Sequence, residues 1–356
     1  MISPLVLAPI PRYYVIAIPL YARSEISAHL VKFAGCDRTW WGRDLIGLRS
    51  QGQGGLQLHV RETDLLHYRM HASSPTIAFG EILFDCFPDR TCIGGGPLNF
   101  AWNLSQLGLP IAMVSAVGCD ALGREARAFL QQAGIDQTWV AERSEPTGTV
   151  DIVLDRGEPE FTVEHDVAWE YIDLPRALDT RPNLLYFGSA AQCAPINRQT
   201  LRRLFDLDPP HRFYDVNLRP GNFTDEIVRR SLDETTVLKL SGEEWEAIRQ
   251  MTGQKSPQHL LEHFNLDALA ITRGEAGAAL YLSGQAFEAP SPRSPVVDTV
   301  GAGDAFSAVL AAGLLLDLDP GQILDLACSA GAAAVRQPGA QIILPDEVIA
   351  AFKSET

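Results

Sequence analysis

No C-x-x-C pair occurs in this chain, whose six cysteines (Cys36, Cys86, Cys92, Cys119, Cys193 and Cys328) lie scattered along 356 residues. That scatter supports neither a zinc site nor a disulfide framework, and a reducing, cytoplasmic setting fits it best. Basic residues are scarce as well: 29 Lys and Arg face 44 Asp and Glu, a net charge of −15. A nucleic-acid partner needs a basic footprint, so that class is set aside; a small phosphorylated ligand needs only a local cluster of N–H groups and cations. No apolar run reaches the roughly 18–20 residues that cross a bilayer, so no membrane span is expected. The best candidate, residues 5–22, is interrupted by Pro9, Pro11, Arg12 and Pro19. Neither a G-x-x-x-x-G-K-[ST] loop nor a G-x-G-x-x-G fingerprint is present, which argues against a P-loop nucleotide site and against dinucleotide binding.

What is present is ordinary for a soluble globular protein, with 46% hydrophobic and 21% charged residues, enough chain for one large α/β domain with an accessory element or for two domains. Residues 1–69 differ from the rest. They carry eight Lys and Arg against five Asp and Glu, a net of +3, which leaves −18 for residues 70–356. They hold a loop-like Ser50-Gln-Gly-Gln-Gly-Gly55 and no sustained period of 2 or 3.6. A disordered tail, a targeting extension and a translation start placed too far upstream are the competing readings, and Met70 offers a start of its own just before the first strand. No function is assigned to this extension.

From Pro75 the texture becomes regular. Thr76-Ile-Ala-Phe-Gly80 and Ile82-Leu-Phe84 read as a buried strand and its continuation, and residues 111–117 as a second strand. Helices are expected over 99–107 and 124–132. Short β-like runs over 137–165, broken at Gly157 and Pro159, suggest a small sheet set apart. Apolar strands at 184–187, 212–216, 237–240 and 268–272 then alternate with helices, which implies βαβ units and a mainly parallel sheet covered on both faces.

The segment richest in chemistry is Asp298-Thr-Val-Gly-Ala-Gly-Asp-Ala-Phe306, which opens a small-residue helix over 305–316. Gly301 and Gly303 allow a tight turn and a close approach to a ligand. The amides of a helix start lack internal partners and carry the positive end of the dipole, so they suit a phosphoryl group in transfer. Asp304 is placed there to take a proton from an attacking hydroxyl. Taken alone, the segment also fits a capping Asp with packing glycines. The second segment is Gly94-Gly-Gly-Pro-Leu-Asn-Phe-Ala-Trp-Asn-Leu-Ser-Gln-Leu-Gly108. A glycine run leading into a helix brings amides up to a hydroxyl-rich ligand, and Asn99 can donate and accept at once; on its own it is no more than a tight strand–helix turn.

The two segments, in this order, resemble the paired signatures of the ribokinase-like (pfkB-type) sugar kinases, bacterial fructokinases above all. Gly94, Gly95, Asn99, Ala101, Leu107 and Gly108 match the first, and residues 298–306 match the second at every position. The resemblance covers roughly residues 75–352. It implies a three-layer α/β/α fold with a central, mainly parallel sheet and a small β lid over about 137–165. It also implies ATP and Mg²⁺ as cofactors and a sugar as acceptor, D-fructose by the likeness of Gly80-Glu-Ile-Leu-Phe-Asp-Cys-Phe-Pro88 to the fructokinases. The carried-over roles are sugar binding at Asp85, Gly94, Gly95 and Asn99, with Asp304 as base. Gly301, Ala302, Gly303 and Arg219 would stabilise the phosphoryl group. Lys239, Thr272, Gly274 and Gly277 would bind ATP together with Gly301 and Gly303. Glu244 would stand in the outer shell of Mg²⁺, and Asp298, with the backbone near Val300, would hold a K⁺ ion. Ser241 stands where the family has Asn; Ser still offers an oxygen, but the resemblance does not carry direct support of magnesium over to that position.

Two alternatives stay open: a 2-keto-3-deoxygluconate kinase or ribokinase, and a catalytically silent relative acting as a regulatory subunit. No cation accompanies Asp85 in sequence to hold a sugar acid, and an intact Gly301, Gly303 and Asp304 speak against a silent member. A homodimer is compatible with the sequence. His259 and His263, at helical spacing, read as solvated surface residues, and Trp169 reads either as a sugar-stacking ring or as core.

Overall fold

Neighbouring residues of each buried strand point to opposite faces, and that alternation builds two cores in one domain. In Thr76–Phe79, Ala78 packs into one cluster of apolar residues while Ile77 and Phe79 pack into another. Met113, Tyr186 and Phe213 follow Ala78; Ala112, Val114, Leu185, Phe187 and Tyr214 follow Ile77 and Phe79. A sheet apolar on both faces has to be covered on both, which is the three-layer arrangement.

The computed structural model describes residues 74–353 apart from 156–157, 175–177, 179–180 and 220, with backbone alone for 153–155 and 158–161. Before residue 74 it describes only the strand backbones at 13–18, 31–32, 39–40, 47–51 and 55–61. Met70 and Gly157 lie outside the described residues.

The unit Ser74–Thr356 runs in order through β1 (Thr76–Phe79), β2 (Leu83–Cys86), β3 (Thr91–Gly94), α1 (Gly96–Gln106), β4 (Ile111–Gly118), α2 (Ala121–Gln132) and β5 (Asp136–Arg143). It continues through β6 (Gly148–Asp155), β7 (Glu158–Val163), β8 (Leu184–Phe187), α3 (Pro195–Phe205), β9 (His211–Asp215), α4 (Asp225–Glu234), β10 (Val237–Ser241) and α5 (Gly242–Thr252). It closes with α6 (Pro257–His263), β11 (Ala268–Thr272), β12 (Ala278–Leu282), β13 (Gln285–Ala289), α7 (Ala302–Leu315), α8 (Pro320–Ala334) and α9 (Asp346–Lys353).

A nine-stranded sheet has the order β5-β4-β1-β8-β9-β10-β11-β12-β13. Its strands are parallel from β5 to β11, and β12 and β13 are antiparallel at one edge. Helices α1, α2, α7, α8 and α9 supply one core and α3 to α6 the other. A four-stranded sheet, β7-β6-β2-β3, stands apart.

Two boundaries differ from the sequence expectation. The strand β5, expected in the lid, pairs in parallel with β4 at the edge of the large sheet, because Val140 and Ala141 feed its two cores. The run from Thr76 to Phe84 is not one strand. Gly80, at φ 145°, turns the chain, and β2 leaves for the small sheet.

The unit Met1–Ser73 is separate. In it the strand Tyr13–Ile18 pairs antiparallel with Gly55–Arg61, which also pairs with Gly47–Gln51. The strands Val31–Lys32 and Thr39–Trp40 form a second antiparallel pair. The irregular pattern of that segment does not announce these pairings. No helix among the described residues is long and apolar enough to cross a membrane.

Candidate active site

The start of α7 is shaped by its glycines. Gly301 sits in the left-handed region at φ 76°, and a Cβ there would come within 2.9 Å of the Ala340 Cα, so both conformation and space exclude other residues. The approach to the helix is tied down where the Val297 and Asp298 amides donate to the Val335 carbonyl. Asp298 braces the turn further, accepting from Val300 N and Gly339 N at 3.0 Å each. No side chain caps α7; the Ala302 amide turns back to the Thr299 carbonyl at 3.4 Å, which leaves those of Gly303 and Asp304 open to a ligand.

Beneath this start lies a buried ion pair. The Lys239 Nζ stands 2.9 Å from the point where Gly303 would carry a Cβ, and 3.0 Å from Asp215 Oδ1. Asp215 also accepts from Ser307 Oγ at 2.7 Å and from Tyr186 Oη at 3.3 Å. Burial alone would lower the Lys239 ammonium, but Asp215 and then Glu244 outweigh it and hold the lysine charged. The sequence assigns Lys239 to ATP; the structure puts its charge under the helix start and engages it with Asp215.

Asp304 occupies the first turn of α7. Its Oδ2 accepts from Asn99 Nδ2 at 2.8 Å, and Asn99 Oδ1 in turn accepts from Gln341 Nε2 at 3.0 Å, which fixes the orientation of the Asn99 amide. Burial, then the negative Asp215, push the Asp304 carboxyl up to about 6, against the opposing pull of Asn99, Lys239 and Arg219. A carboxyl tuned towards neutrality is suited to proton transfer.

The acceptor side is built by β2, β3 and the start of α1. Asp85 on β2 lays Oδ2 over Gly94, 2.9 Å from the position of a Cβ there, so Gly94 makes room for the carboxylate. Gly95, at φ 111°, would drive a Cβ to 2.5 Å from the Glu81 carbonyl. The Asp85 carboxyl is raised by burial and then by Asp298, while Arg219 lowers it. Arg219 is exposed, and its charge reaches both Asp85 and Asp304.

Glu244 is anchored on both oxygens, Oε2 accepting from Ser241 N at 2.7 Å and Oε1 from Leu218 N at 2.8 Å. It thereby ties α5 to the loop that carries Asn217 and Arg219. Ser241 caps α5, its hydroxyl accepting from Glu244 N at 3.1 Å, which accounts for a serine at that position. Thr272, Gly274 and Gly277 line a cavity of about 720 Å³ that also reaches Thr299, Ala302 and Gly303, so the proposed nucleotide positions and the α7 start share one space. Gly277 has φ 89°, and a Cβ on it would strike the Ala289 carbonyl.

Three residues were not foreseen: Glu81, Asn217 and Gln341. Two of them had a signal: Glu81 is a carboxylate inside a buried apolar run, and Asn217 stands in Asp215-Val-Asn-Leu-Arg219, a run that resembles the family's Asp-x-Asn-x-Arg. Trp169 is 3% exposed and packs over Gly148, where a Cβ would meet its indole, so it belongs to the core. His259 and His263 are exposed, and no group of three metal-ligating side chains occurs among the described residues.

Comparison with known proteins accords with this geometry. The family described as pfkB family carbohydrate kinase matches residues 79–347. A fructokinase from Escherichia coli is 30% identical over 299 residues, 77% of this chain and 97% of its own. An aminoimidazole riboside kinase from Salmonella typhimurium is 30% identical over 306 residues, 78% of this chain and 93% of its own. Among solved structures, a fructokinase with bound ATP from Xylella fastidiosa superposes with a TM-score of 0.70 at 22% identity, covering 80% of this chain and 99% of that one.

Proposed function

The chain belongs to the pfkB family of carbohydrate kinases, and within that family we propose that it transfers the γ-phosphoryl group of ATP to the primary hydroxyl of D-fructose, giving fructose 6-phosphate. The observation that carries this reading is the position of Asp304. It lies at a helix start whose Ala302 and Gly303 line the nucleotide cavity, and Asn99 bonds it from the acceptor side. Asp304 takes the hydroxyl proton, and the amides of residues 301–304 with Arg219 stabilise the charge on the phosphoryl group in transfer. Asp85, Gly94, Gly95 and Asn99 hold the sugar, Asp85 through charge-assisted bonds to its hydroxyls. Thr272, Gly274 and Gly277 shape the ATP site. The small sheet acts as a lid that keeps water from competing as acceptor.

The residues fit Mg²⁺ arriving on the triphosphate, an ion that takes one or two carboxylates and keeps much of its water. Glu244, held by two amides, would accept from that water, and the metal would neutralise charge on the phosphates. A potassium ion would be held by Asp298 and the backbone near Val300. The fructokinases among the relatives support D-fructose. The test is ADP release across ketoses, aldoses, sugar acids and ribosides, with product analysis by NMR. D-fructose is expected to give the highest kcat/KM; a higher value for another acceptor overturns the substrate.

The kinase unit is proposed to work without residues 1–69. Every residue given a role lies beyond residue 80, the large sheet begins at Thr76, and the charge balance reverses near Met70. A chain beginning at Met70 is expected to keep the melting temperature, oligomer mass and kcat/KM of the full chain. A drop of several degrees or lost activity makes the extension structural.

A further inference from the structure

Glu81 is a third carboxyl in the cradle, and the scheme above gives it no role. It stands in the turn between β1 and β2, 7% exposed. Its Oε1 lies 3.6 Å from the point where Gly96 would carry a Cβ. Asp304 Oδ1 lies 3.7 Å and Asn217 Nδ2 3.3 Å from that same point. The missing side chain of Gly96 thus leaves a gap onto which two carboxyls and an amide converge from three elements: the β1–β2 turn, the start of α7 and the loop after β9. Asn217 holds φ 39°, a left-handed conformation that persists only where the surroundings enforce it.

The oxygens of Asp304 are divided between two sides. Oδ2 receives Asn99, so Oδ1 is the one turned towards Gly96 and Glu81. The groups that bear on Glu81 are its own backbone and the Gly96 backbone, which favour the ionised form, the like charge of Asp304, and the opposite charge of Arg219. Two ionised carboxylates around one desolvated gap repel, so such a pair holds one negative charge far more readily than two. Asp304 has to be ionised to accept a proton. Burial, with Asp304 adding to it, pushes Glu81 up to about 7, so Glu81 is the carboxyl free to stay neutral while Asp304 serves as base.

We propose that Glu81 is a positioning residue for Asp304, staying protonated while Asp304 is ionised, and that its own ionisation closes the active pH range from the alkaline side. The proposal rests on the reading of Asp304 as base. With Glu81 neutral, the cradle presents one carboxylate to the approaching triphosphate. Once Glu81 ionises, a second negative charge faces both Asp304 and the phosphoryl group, and it repels the nucleotide where the α7 amides should receive it. The competing role is purely structural, an acceptor for the Gly96 backbone at the start of α1. Glutamine preserves that acceptor and does not titrate, so Glu81→Gln separates the two.

The first test needs no turnover. In the full chain labelled with ¹³C-carboxyl glutamate, the Glu81 resonance is assigned by its absence in Glu81→Gln, or in Glu81→Asp if the glutamine variant does not fold. Its midpoint is expected well above the usual value of about 4.3, and lower in Asp304→Asn. The second test compares kcat/KM against pH with the best acceptor found. Wild type is expected to lose activity above neutrality, and Glu81→Gln to lose that alkaline limb, raising the ratio of kcat/KM at about pH 8.5 to that at about pH 6.5 by roughly tenfold over wild type. An ordinary midpoint, a midpoint unmoved in Asp304→Asn, or superimposable pH profiles overturns the proposal. If no acceptor is turned over, the kinase reading fails while the resonance still decides the coupling of the two carboxyls.

Discussion

Two kinds of helix start divide this molecule. Ahead of α2, α4, α5, α6 and α8 stand Asp120, Thr224, Ser241, Ser256 and Asp319, and each side chain accepts an amide of its helix's first turn. Ahead of α1 and α7 stand Gly95 and Gly301, at φ 111° and 76°, with no side-chain cap. The start at Ala194 also lacks a side-chain cap; Pro195 there, like Pro97 at the start of α1, removes one donor. A capping side chain satisfies a helix that serves only the fold, and a glycine leaves the amides for something else to satisfy. The two glycine starts meet where Asn99 bonds Asp304; at α1 Pro97 has no N–H and Glu81 takes the Gly96 amide, so the amides left for a ligand are those of α7.

The sharpest way to break this comparison is at the carboxylate between the two starts. Asp304→Asn is expected to lower kcat by roughly 10²–10⁴ while calorimetry still shows ATP and sugar binding, the range for loss of a general base. A kcat within about threefold of wild type removes Asp304 from that role. The pH dependence carries the same sign. With its carboxyl at about 6, Asp304 becomes protonated below that pH, and the wild-type rate falls towards acid. Stability runs the other way, because a carboxyl raised by folding contributes stability below its ordinary value and loses it as pH rises through about 6. Asp304→Asn should therefore melt higher than wild type at alkaline pH and lose that advantage in acid.

Asp85→Ala tests the acceptor side. Loss of its bonds to sugar hydroxyls is expected to cost about 2–5 kcal/mol, read as a raised KM for the sugar with KM for ATP little changed. Equal effects on both substrates point to damage to the fold instead. Gly301→Ala tests the nucleotide side. The left-handed φ and the close Ala340 backbone are expected to cost about 1–3 kcal/mol of stability. Because the amides of α7 must move with the strain, kcat should fall as well. A Gly301→Ala protein of full activity shows that the glycine is there for packing alone.

Much of this site is legible in the sequence. The two glycine segments and Asp304 announce themselves because local pattern and chemistry coincide there: a turn that needs glycine, a helix start, and a carboxylate beside it; Asp85 is reached only through the family resemblance. The alternation of apolar strands and helices likewise gives the layered sheet. What stays hidden is contact across chain distance. Nothing near Gln341 says that it orients Asn99. Nothing near Glu81 says that it shares a gap with Asp304, and the partner of Lys239 is a strand away in Asp215. The strand Asp136–Arg143 shows the same limit for the fold. Its composition says strand, but only packing of Val140 and Ala141 into opposite cores decides which sheet it joins.

The smallest expected effect lies at a capped start. Asp319 accepts from Gln322 N at 3.1 Å at the head of α8, and α8 lies against α7, sharing its core through Ile323, Leu324 and Ala327. Asp319→Ala removes the cap and leaves that apolar face intact. The expected cost is about 0.5–2 kcal/mol of stability, the usual loss for a capping carboxylate. The pyrrolidine of Pro320 and the buried face of α8 keep the helix in register, so the α7 start should not move, and kcat/KM for both substrates should equal wild type at a temperature well below melting. Thermal unfolding and steady-state kinetics on the same preparation decide it. A loss of kcat comparable to that of Gly301→Ala shows that α8 transmits strain to the α7 start, and the separation between helices that serve the fold and helices that serve the ligand then fails at this pair.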